Sequence, residues 1–402
     1  MRQIKLLFAA ILLIILAVAL FVTYHGLADK EAEPFHVGVS FCGNTTIEAK
    51  QLVDRIQNYS NLLVIQSGPV SKNQTSLNEI ADYATQKGLD IIVFFGMFND
   101  SWQLPWLDYA IERYGEQLLG IYYYDEPGGI QLDIPYDEWA HYFSLIRDTF
   151  SDSPLYIAHS QAIEEFLNGN LTRDYKSAAE VFIDHIRKDS GIIELQKRNL
   201  TSFISDYALH WYTYKGGWDI VLAQLGWNNT VEQDLALVRG AATLQNKQWG
   251  TIITWKYDTA PYLDTAAEVY NQMCMSYTSG ANYVVIFNYP QNDTENPYGV
   301  MTDKHFEALE NFWNNIENQR IIHGSSKAQA ALVLPQDYGW GMRRSYDRIW
   351  YWEADEYSEQ IWNLSRQLLN KYGQGLDIVY EDPDFPFKGK YPTVYFWNQT
   401  VT

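Results

Sequence analysis

Short apolar runs alternate with longer amphipathic stretches along most of the sequence. The first four apolar runs are His36–Phe41, Leu62–Gln66, Asp90–Phe95 and Leu119–Tyr124, and their hydrophobic residues are continuous rather than alternating. A strand that is covered on both faces has this pattern, because neither face meets water. The alternation therefore predicts parallel strands that are joined by helices.

The amphipathic stretches predict helices on the outside of the sheet. Thr46–Tyr59 and Ser76–Lys87 have apolar residues at the spacing of one helical face. After the fourth run the alternation stops, and Tyr136–Asn199 is mostly helical in pattern, including Tyr175–Lys188. We predict a helical insertion after strand 4.

The alternation resumes after this insertion. Eight strands with intervening helices in about 285 residues fit an α/β fold of the (β/α)8 barrel type with insertions. Taking Leu155–His159 as strand 5 would change the strand numbering but not the fold class. The later strands are predicted at Thr201–Ser205, Asp219–Leu225, Thr251–Trp255 and Tyr283–Phe287, and the later helices at Val231–Asn246, Thr265–Tyr277 and His305–Asn318.

A second unit is predicted to begin near residue 328. Ala330–Leu334, Leu376–Tyr380 and Thr393–Trp397 have the pattern of strands, and Tyr357–Tyr372 has that of a helix. This order is typical of the start of an open, doubly wound, flavodoxin-like α/β domain. Because three strands are too few to complete such a domain, we expect it to be partial or to lean on the barrel.

The N-terminus has the pattern of an export signal. Leu6–Val22 is uninterruptedly apolar and follows Arg2 and Lys5, which favours a cytoplasmic N-terminus. The run exceeds the roughly 7–15 residues of a signal peptide core and reaches the lower limit of about 17–25 residues for a membrane span. We therefore favour an uncleaved anchor, while cleavage near Ala17–Ala19 would give a secreted protein. The predicted organisation is an anchor at 1–27, a linker at 28–34, the barrel at 35–322 and the partial flavodoxin-like domain at 323–402.

Sequons for N-glycosylation support export of the chain. Chance would supply roughly two or three N-x-S/T sequons in a chain of this composition. The excess indicates glycans on an extracellular face. The sequons begin at Asn44, Asn58, Asn73, Asn99, Asn170, Asn199, Asn228, Asn292, Asn363 and Asn398.

Composition narrows the function classes. The chain is 47% hydrophobic and 19% charged, which is typical of a globular protein. A net charge of −20 without a basic stripe argues against nucleic-acid binding. Two cysteines, Cys42 and Cys274, exclude a disulfide framework, and we favour two buried thiols over one bond between them. The histidines are scattered without zinc-binding spacing, so no metal and no cofactor is predicted.

Two adjacent carboxylates follow the fourth predicted strand. Asp125 and Glu126 come after three tyrosines, of which Tyr124 is the last, and before a Pro-Gly-Gly turn. Barrel active sites form at this end of the strands. Aromatic neighbours desolvate a carboxyl group, which raises its pKa and fits it to donate a proton. The alternative is that one carboxylate caps the following loop or pairs with an arginine.

Other strand ends place a carboxylate or an amide beside an aromatic side chain. Aromatic faces stack on sugars, and carboxylates and amides bind sugar hydroxyls. Core packing is the better explanation for any single aromatic, but their recurrence at one rim indicates sugar subsites. The candidate residues are Asp206, Tyr207, Trp227, Trp255, Lys256, Asp258, Asn288 and Tyr289.

The segment Tyr124–Pro127 resembles the strand 4 signature of clan A glycoside hydrolases, in which Asn-Glu-Pro supplies the acid/base glutamate. The resemblance implies that Glu126 is the general acid/base and that Asp125 occupies the place of a sugar-contacting asparagine. A barrel followed by an open α/β unit is also similar to the family 42 β-galactosidase arrangement. The clan has a glutamate nucleophile after strand 7, where this chain offers only Asp258; Asp206 is a second candidate for that role.

The leading hypothesis is an extracellular, membrane-anchored glycoside hydrolase that acts on a carbohydrate substrate by two-carboxylate chemistry. Tyr124, Tyr207, Trp227, Trp255, Lys256, Asn288 and Tyr289 would line its sugar subsites, together with Asp125. The alternative is a non-catalytic glycan-binding or cell-surface structural protein on the same barrel. The oligomeric state stays open.

Overall fold

The computed structural model describes residues 34–169, 173–227, 230–292, 294 and 296–399. The predicted anchor and the sequons at Asn170 and Asn228 lie outside the described residues. Within the described ranges, every helix is too short or too polar to cross a bilayer. The described chain from His36 onward belongs to one compact unit.

Eight parallel strands close into a barrel in chain order, and the first strand pairs with the eighth. This confirms the predicted (β/α)8 fold. The predicted strand ends lie within three residues of the observed ones, and both ends of β1 coincide. The strands are β1 (His36–Phe41), β2 (Leu62–Ile65), β3 (Asp90–Gly96), β4 (Leu118–Tyr123), β5 (Ser202–Asp206), β6 (Ile220–Leu225), β7 (Gln248–Ile253) and β8 (Tyr283–Ile286).

Large apolar side chains from several strands fill the barrel. Ile92, Phe203, Leu222 and Val285 belong to this core and are fully buried. The strands approach closely enough that a Cβ on Gly38 would lie 1.9 Å from the Leu62 carbonyl oxygen. Because the interior is packed, space for a ligand is expected at the ends of the strands.

Helices cover the outside of the barrel, and five of them lie between β4 and β5, which confirms the predicted helical insertion. The alternative strand Leu155–His159 is wrong, because these residues are helical. The helices are α1 (Thr46–Ile56), α2 (Gly68–Ser71), α3 (Gln74–Gln86), α4 (Gln103–Tyr114), α5 (Pro127–Asp133), α6 (Tyr136–Thr149), α7 (Pro154–Leu167), α8 (Tyr175–Arg187), α9 (Ser190–Lys197), α10 (His210–Gly216), α11 (Val231–Gln245), α12 (Ala266–Thr278), α13 (Asp303–Glu317) and α14 (Ser358–Tyr372).

The C-terminal part contains a second, parallel sheet with the order β10-β9-β11. Its strands are β9 (Ala330–Leu334), β10 (Leu376–Tyr380) and β11 (Thr393–Phe396), close to the predicted ranges. The helix α14 follows β9 in the chain, as the flavodoxin-like pattern predicted. The boundary at residues 322 and 323 stays a prediction.

A buried arginine joins the barrel layer to the second sheet. Arg239 of α11 donates from Nε to Asp377 Oδ1 on β10 at 2.7 Å, and both side chains are almost fully buried. The guanidinium also donates to the carbonyl oxygens of Ser326, Gln374 and Leu376. A buried charge with this many partners is costly to leave unpaired.

The C-terminal part also reaches the loop after β4. Arg343 forms an ion pair with Asp133 at 2.7 Å, and Arg348 donates to the carbonyl oxygens of Leu132 and Ile134. Tyr351 packs against aromatic residues of the helical insertion. These contacts fix the end of α5, the helix that follows the candidate carboxylates.

Replacing Arg239 with Met should lower the free energy of unfolding by about 3–5 kcal/mol, because Asp377 would stay buried without its partner. Urea denaturation of the full chain measures this loss. The exposed Lys176–Glu180 pair supplies the control: Lys176→Met should change stability by less than about 1 kcal/mol. Equal stability of the two variants would contradict a structural role for the buried pair.

Candidate active site

The backbone turns sharply where β4 ends. Tyr124 and Glu126 both adopt the left-handed conformation, with φ of +68° and +51°. Such conformations of non-glycine residues cost on the order of 1–3 kcal/mol each and cluster at functional sites. Through this turn Asp125 and Glu126 line one cleft, while Tyr124 and Pro127 line a different cavity.

The two carboxylates line a cleft of about 290 Å³ at the C-terminal end of the barrel strands. This is where the sequence predicted the site, and its volume is close to the lower end of the usual range for ligand pockets, about 300–1,000 Å³. The residue that follows β2 and residues at or just after the ends of β5 to β8 complete the walls. They are Gln66, Ser205, Gln224, Trp227, Ile252, Thr254, Trp255, Phe287 and Tyr289.

Three oxygen atoms at the base of the cleft form a closed triangle. Tyr122 Oη lies 2.7 Å from Asp125 Oδ1 and 2.6 Å from Ser205 Oγ, and Ser205 Oγ lies 2.9 Å from Asp125 Oδ1. Three contacts of hydrogen-bond length need three protons, and the two hydroxyls supply two. A proton on Asp125 would complete the set.

The electrostatics of Asp125 agree with this proton count. Burial raises the pKa of Asp125 to about 6; the Tyr122 and Ser205 hydroxyls oppose the shift, and the charge of Glu126 adds to it. Burial also raises the pKa of Tyr122, which therefore remains a hydrogen-bond donor. Asp125 thus holds a proton at a pH where an ordinary aspartate has lost it.

Gln224 links the two carboxylates. Its Nε2 donates to Glu126 Oε1 at 2.6 Å and to Ser205 Oγ at 3.0 Å. Ser205 in turn contacts Asp125, so one chain of hydrogen bonds joins Asp125 to Glu126. This chain fixes the orientation of both acids in the cleft.

Asp206 is fully buried and does not line the cleft. Its carboxylate accepts hydrogen bonds from the backbone N–H groups of Gly128, Gly129, Tyr207 and Ala208 at 2.6–3.2 Å. Burial raises the pKa of Asp206, and the N–H groups of Gly128, Gly129 and Ala208 oppose the shift because they stabilise the ionised form. This environment favours a structural role at the start of α5 over the catalytic role that the sequence indicated.

Two other candidates support loops. Tyr207 donates from its hydroxyl to Asp133 at 2.6 Å, and the Arg343 guanidinium lies 5.5 Å from its ring centre. Asn288 is fully buried, and its Oδ1 accepts from the backbone N–H of Met301 at 2.9 Å. Neither residue lines the cleft.

The two charged candidates after β7 also do not line the cleft. Lys256 forms an ion pair with Asp264 at 2.6 Å, and Asp258 is exposed. Strand β7 ends at Ile253 rather than at the predicted Trp255. Among the described residues that line the cleft, the carboxylates are therefore Asp125 and Glu126 alone.

An aromatic wall stands within the cleft. Trp227, Trp255 and Tyr289 were predicted for the sugar subsites and all line it, and Phe287 joins them. Trp227 is 46% exposed and Tyr289 45% exposed, so both rings offer free surface to a ligand. The Trp255 and Tyr289 rings meet edge to face, with centres 6.1 Å apart.

Tyr124 does not join this wall. It lines a neighbouring small cavity of about 70 Å³ between the end of β4 and the helical insertion. Trp139 of α6 and Trp218 line the same cavity. The segment from Tyr124 to Pro127 therefore separates two cavities.

Sequence reasoning missed Tyr122, Gln66, Ser205 and Gln224 as site residues. Gln224 offers a signal, because it is a lone amide in the apolar run of β6. A polar residue within a buried strand needs a partner, and the barrel mouth can supply one. Ser205 and Tyr122 give no such signal, since serine and tyrosine are common in strands.

The chain matches no family model and no curated protein at a significant level. Several solved barrel structures resemble it. A spore coat polysaccharide biosynthesis protein from Bacillus subtilis is 10% identical over 71% of this chain and 69% of its own, with a TM-score of 0.39. A truncated 3-deoxy-D-arabino-heptulosonate 7-phosphate synthase from Thermotoga maritima is 8% identical over 71% of this chain and 87% of its own, with a TM-score of 0.37. A β-mannanase from the blue mussel Mytilus edulis is 8% identical over 70% of this chain and 92% of its own, with a TM-score of 0.39.

Similarity at this level reflects the barrel alone. It gives no support to the family 42 arrangement, which stays a hypothesis. Both cysteines are free thiols, Cys42 buried and Cys274 partly buried, which agrees with the prediction except for the exposure of Cys274. In the described parts of the chain, no cluster of three His, Cys, Asp or Glu side chains could hold a metal ion.

Replacing Asp206 with Asn should lower the free energy of unfolding by about 2–4 kcal/mol, because the new amide N–H groups would face backbone N–H groups. Urea denaturation measures the loss. Asp258→Asn is the matched control, since Asp258 is exposed, and it should unfold like the parent. An Asp206→Asn variant with parental stability would show that the four backbone contacts are unimportant.

Proposed function

We propose that the cleft cleaves glycosidic bonds, with Asp125 and Glu126 as its acid–base pair. The observation that carries this function is the meeting of two hydrogen-bonded carboxylates and an aromatic wall in one cleft at the C-terminal end of a barrel. Two carboxyl groups and an aromatic sugar platform are what hydrolysis of a glycoside needs.

The geometry favours Asp125 as the proton donor. A general acid must hold its proton near the working pH, and the raised pKa of Asp125, about 6, meets this condition. The resemblance to clan A had implied this role for Glu126. The hydrogen-bonded triangle of Tyr122, Ser205 and Asp125 instead supports Asp125 as the acid and Glu126 as the base, because a proton on Asp125 supplies the third hydrogen bond of the triangle.

Each carboxylate then has one task. The Asp125 proton passes to the glycosidic oxygen as the bond to the anomeric carbon breaks. Glu126, oriented by Gln224, stabilises the positive charge that develops on the sugar and accepts a proton from the water that adds to the anomeric carbon. Hydrolysis thereby leaves the protein with one proton on the pair, ready for a proton exchange that restores the starting state.

Aryl glycosides with different leaving groups test these roles in the full chain. Asp125→Asn should lose about 10²–10⁴-fold in rate on alkyl glycosides but less than about tenfold on dinitrophenyl glycosides, which need no protonation. Glu126→Gln should lose at least about 10²-fold on both. The parental rate on alkyl glycosides should fall above about pH 6 as Asp125 ionises, whereas the parental rate on the dinitrophenyl substrate, which needs no protonation, should lack this fall.

The opposite pattern, with Glu126→Gln retaining activity on dinitrophenyl glycosides, would return the acid role to Glu126. Asp258→Asn should keep the parental rate, because Asp258 does not line the cleft. A loss of rate in this variant would instead support Asp258, the candidate after strand 7, as a catalytic residue. A folded parent that binds glycans without turning over any of them would refute the hydrolase and leave a glycan-binding barrel.

The protein would work outside the cytoplasm as an N-glycosylated, membrane-anchored protein. This is supported by the surface position of its sequons: all eight sequon asparagines in the described residues are exposed, against seven of the thirteen other described asparagines. Three of them, Asn44, Asn99 and Asn292, follow β1, β3 and β8 and so lie at the same end of the barrel as the cleft.

Peptide mass spectrometry of the protein from its natural cells should find glycans on Asn44, Asn99 and Asn292. The transfer of a glycan requires an accessible sequon on the outer side of the membrane. Exposed asparagines outside sequons, Asn246 and Asn271, serve as controls and should be unmodified. Unmodified asparagine at every exposed sequon would argue against export.

A further inference from the structure

Three polar atoms in the cleft walls lack a hydrogen-bond partner. They are Gln66 Oε1, Gln224 Oε1 and Trp255 Nε1, and each is buried. The Gln224 amide cannot turn to satisfy its oxygen, because its Nε2 is held by Glu126 and Ser205. Two acceptors and one donor are therefore left without a partner within one cleft.

This concentration is higher than an even distribution would give. Fifteen buried side-chain polar atoms lack a partner in the described part of the chain, and the cleft is lined by eleven residues. If the fifteen atoms were spread evenly over the roughly 360 described residues, about 0.5 unpaired atoms would be expected among the lining residues of the cleft. Three are found there. Buried polar groups are normally satisfied, so the excess points to a ligand that supplies the missing partners.

The charge of the cleft limits that ligand further. Of the described residues that line it, none is Lys, Arg or His, and two are carboxylates. Lys256, the nearest basic residue along the chain to the aromatic wall, is held by Asp264. An anionic group such as a phosphate, a sulfate or a uronic acid would meet two acids without a cation to balance it.

We infer that the cleft selects an uncharged, hydroxyl-rich sugar ring, whose hydroxyls donate to Gln66 and Gln224 and accept from Trp255. The ring face packs on the aromatic wall, and anionic sugars are rejected. This specificity rests on the proposed glycoside-binding cleft, and it makes Gln66 and Trp255 specificity residues that touch the substrate. A site built to bind a hydroxyl discriminates strongly against analogues that lack it, because its polar groups are then left unpaired.

Gln66→Met tests the acceptor, because it keeps the side-chain length and removes the unpaired oxygen. The variant should melt at a higher temperature than the parent, since a buried acceptor without a partner is removed, and should bind neutral sugars at least about tenfold more weakly. Gln272→Met is the matched control. Gln272 is also buried with an unpaired Oε1, but it lies on α12 outside the cleft, so its variant should bind sugars like the parent.

Trp255→Phe tests the donor while keeping an aromatic face. It should weaken binding at least about tenfold, whereas Trp218→Phe, at a buried tryptophan with an unpaired Nε1 outside the cleft, should leave binding unchanged.

The probes are methyl glycosides of neutral hexoses and pentoses, the matching uronic acids and 6-phosphates, and tetrahydropyran, a ring without hydroxyls. Binding is read from the ligand-induced rise in melting temperature of full-chain Glu126→Gln and of its double variants.

Because this readout needs no turnover, the two proposals fail separately. Binding of neutral sugars that depends on Gln66 and Trp255 in a parent without hydrolytic activity would refute the hydrolase but support the recognition. Hydrolysis by a parent whose Gln66 and Gln272 variants bind alike would refute the recognition alone. Tighter binding of uronic acids or phosphates than of neutral sugars, or equal binding of tetrahydropyran, would also overturn it.

Discussion

The carboxylate of Asp206 is the interaction on which the candidate site depends most. It binds four backbone N–H groups, two at the start of α5 and two just after β5. It thereby joins the loops that leave two neighbouring strands. The close approach of these loops explains the two glycines after Pro127. A Cβ on Gly128 would lie 2.3 Å from the Ala208 carbonyl oxygen, and a Cβ on Gly129 would lie 2.0 Å from the Tyr207 ring. Close approach of these loops holds Asp125 and Glu126 in their strained turn.

The barrel could be predicted from the sequence because its strands are buried on both faces. Continuous apolar runs such as Leu62–Ile65 have few alternatives to a parallel strand between layers of helices. Leu155–His159 shows the limit of this reasoning, because a five-residue apolar run fits a strand or a buried helix equally well. The residues around the run determine that it is helical. Ser153 caps α7, and the run continues into a helix whose apolar face packs within the insertion.

The site could be predicted only in part, for a different reason. Asp125 and Glu126 follow a strand directly, so the position of β4 fixes where they emerge. Asp258 stands five residues beyond the end of β7, and over that distance the loop decides the direction of the side chain. Gln66 was missed because its interest comes from its surroundings, a cleft in which its amide oxygen is unpaired, and strand periodicity does not reveal these surroundings.

The contacts of Arg343 and Arg348 with the end of α5 join residues about 210 positions apart. Synthesis runs from the N-terminus, so all eight barrel strands leave the ribosome before either arginine does. A chain interrupted between β8 and Arg343 would lose these contacts with the candidate carboxylate turn and would also leave the buried Arg239 without Asp377, so the described residues from 343 onward support both the candidate site and the outer layer of the barrel.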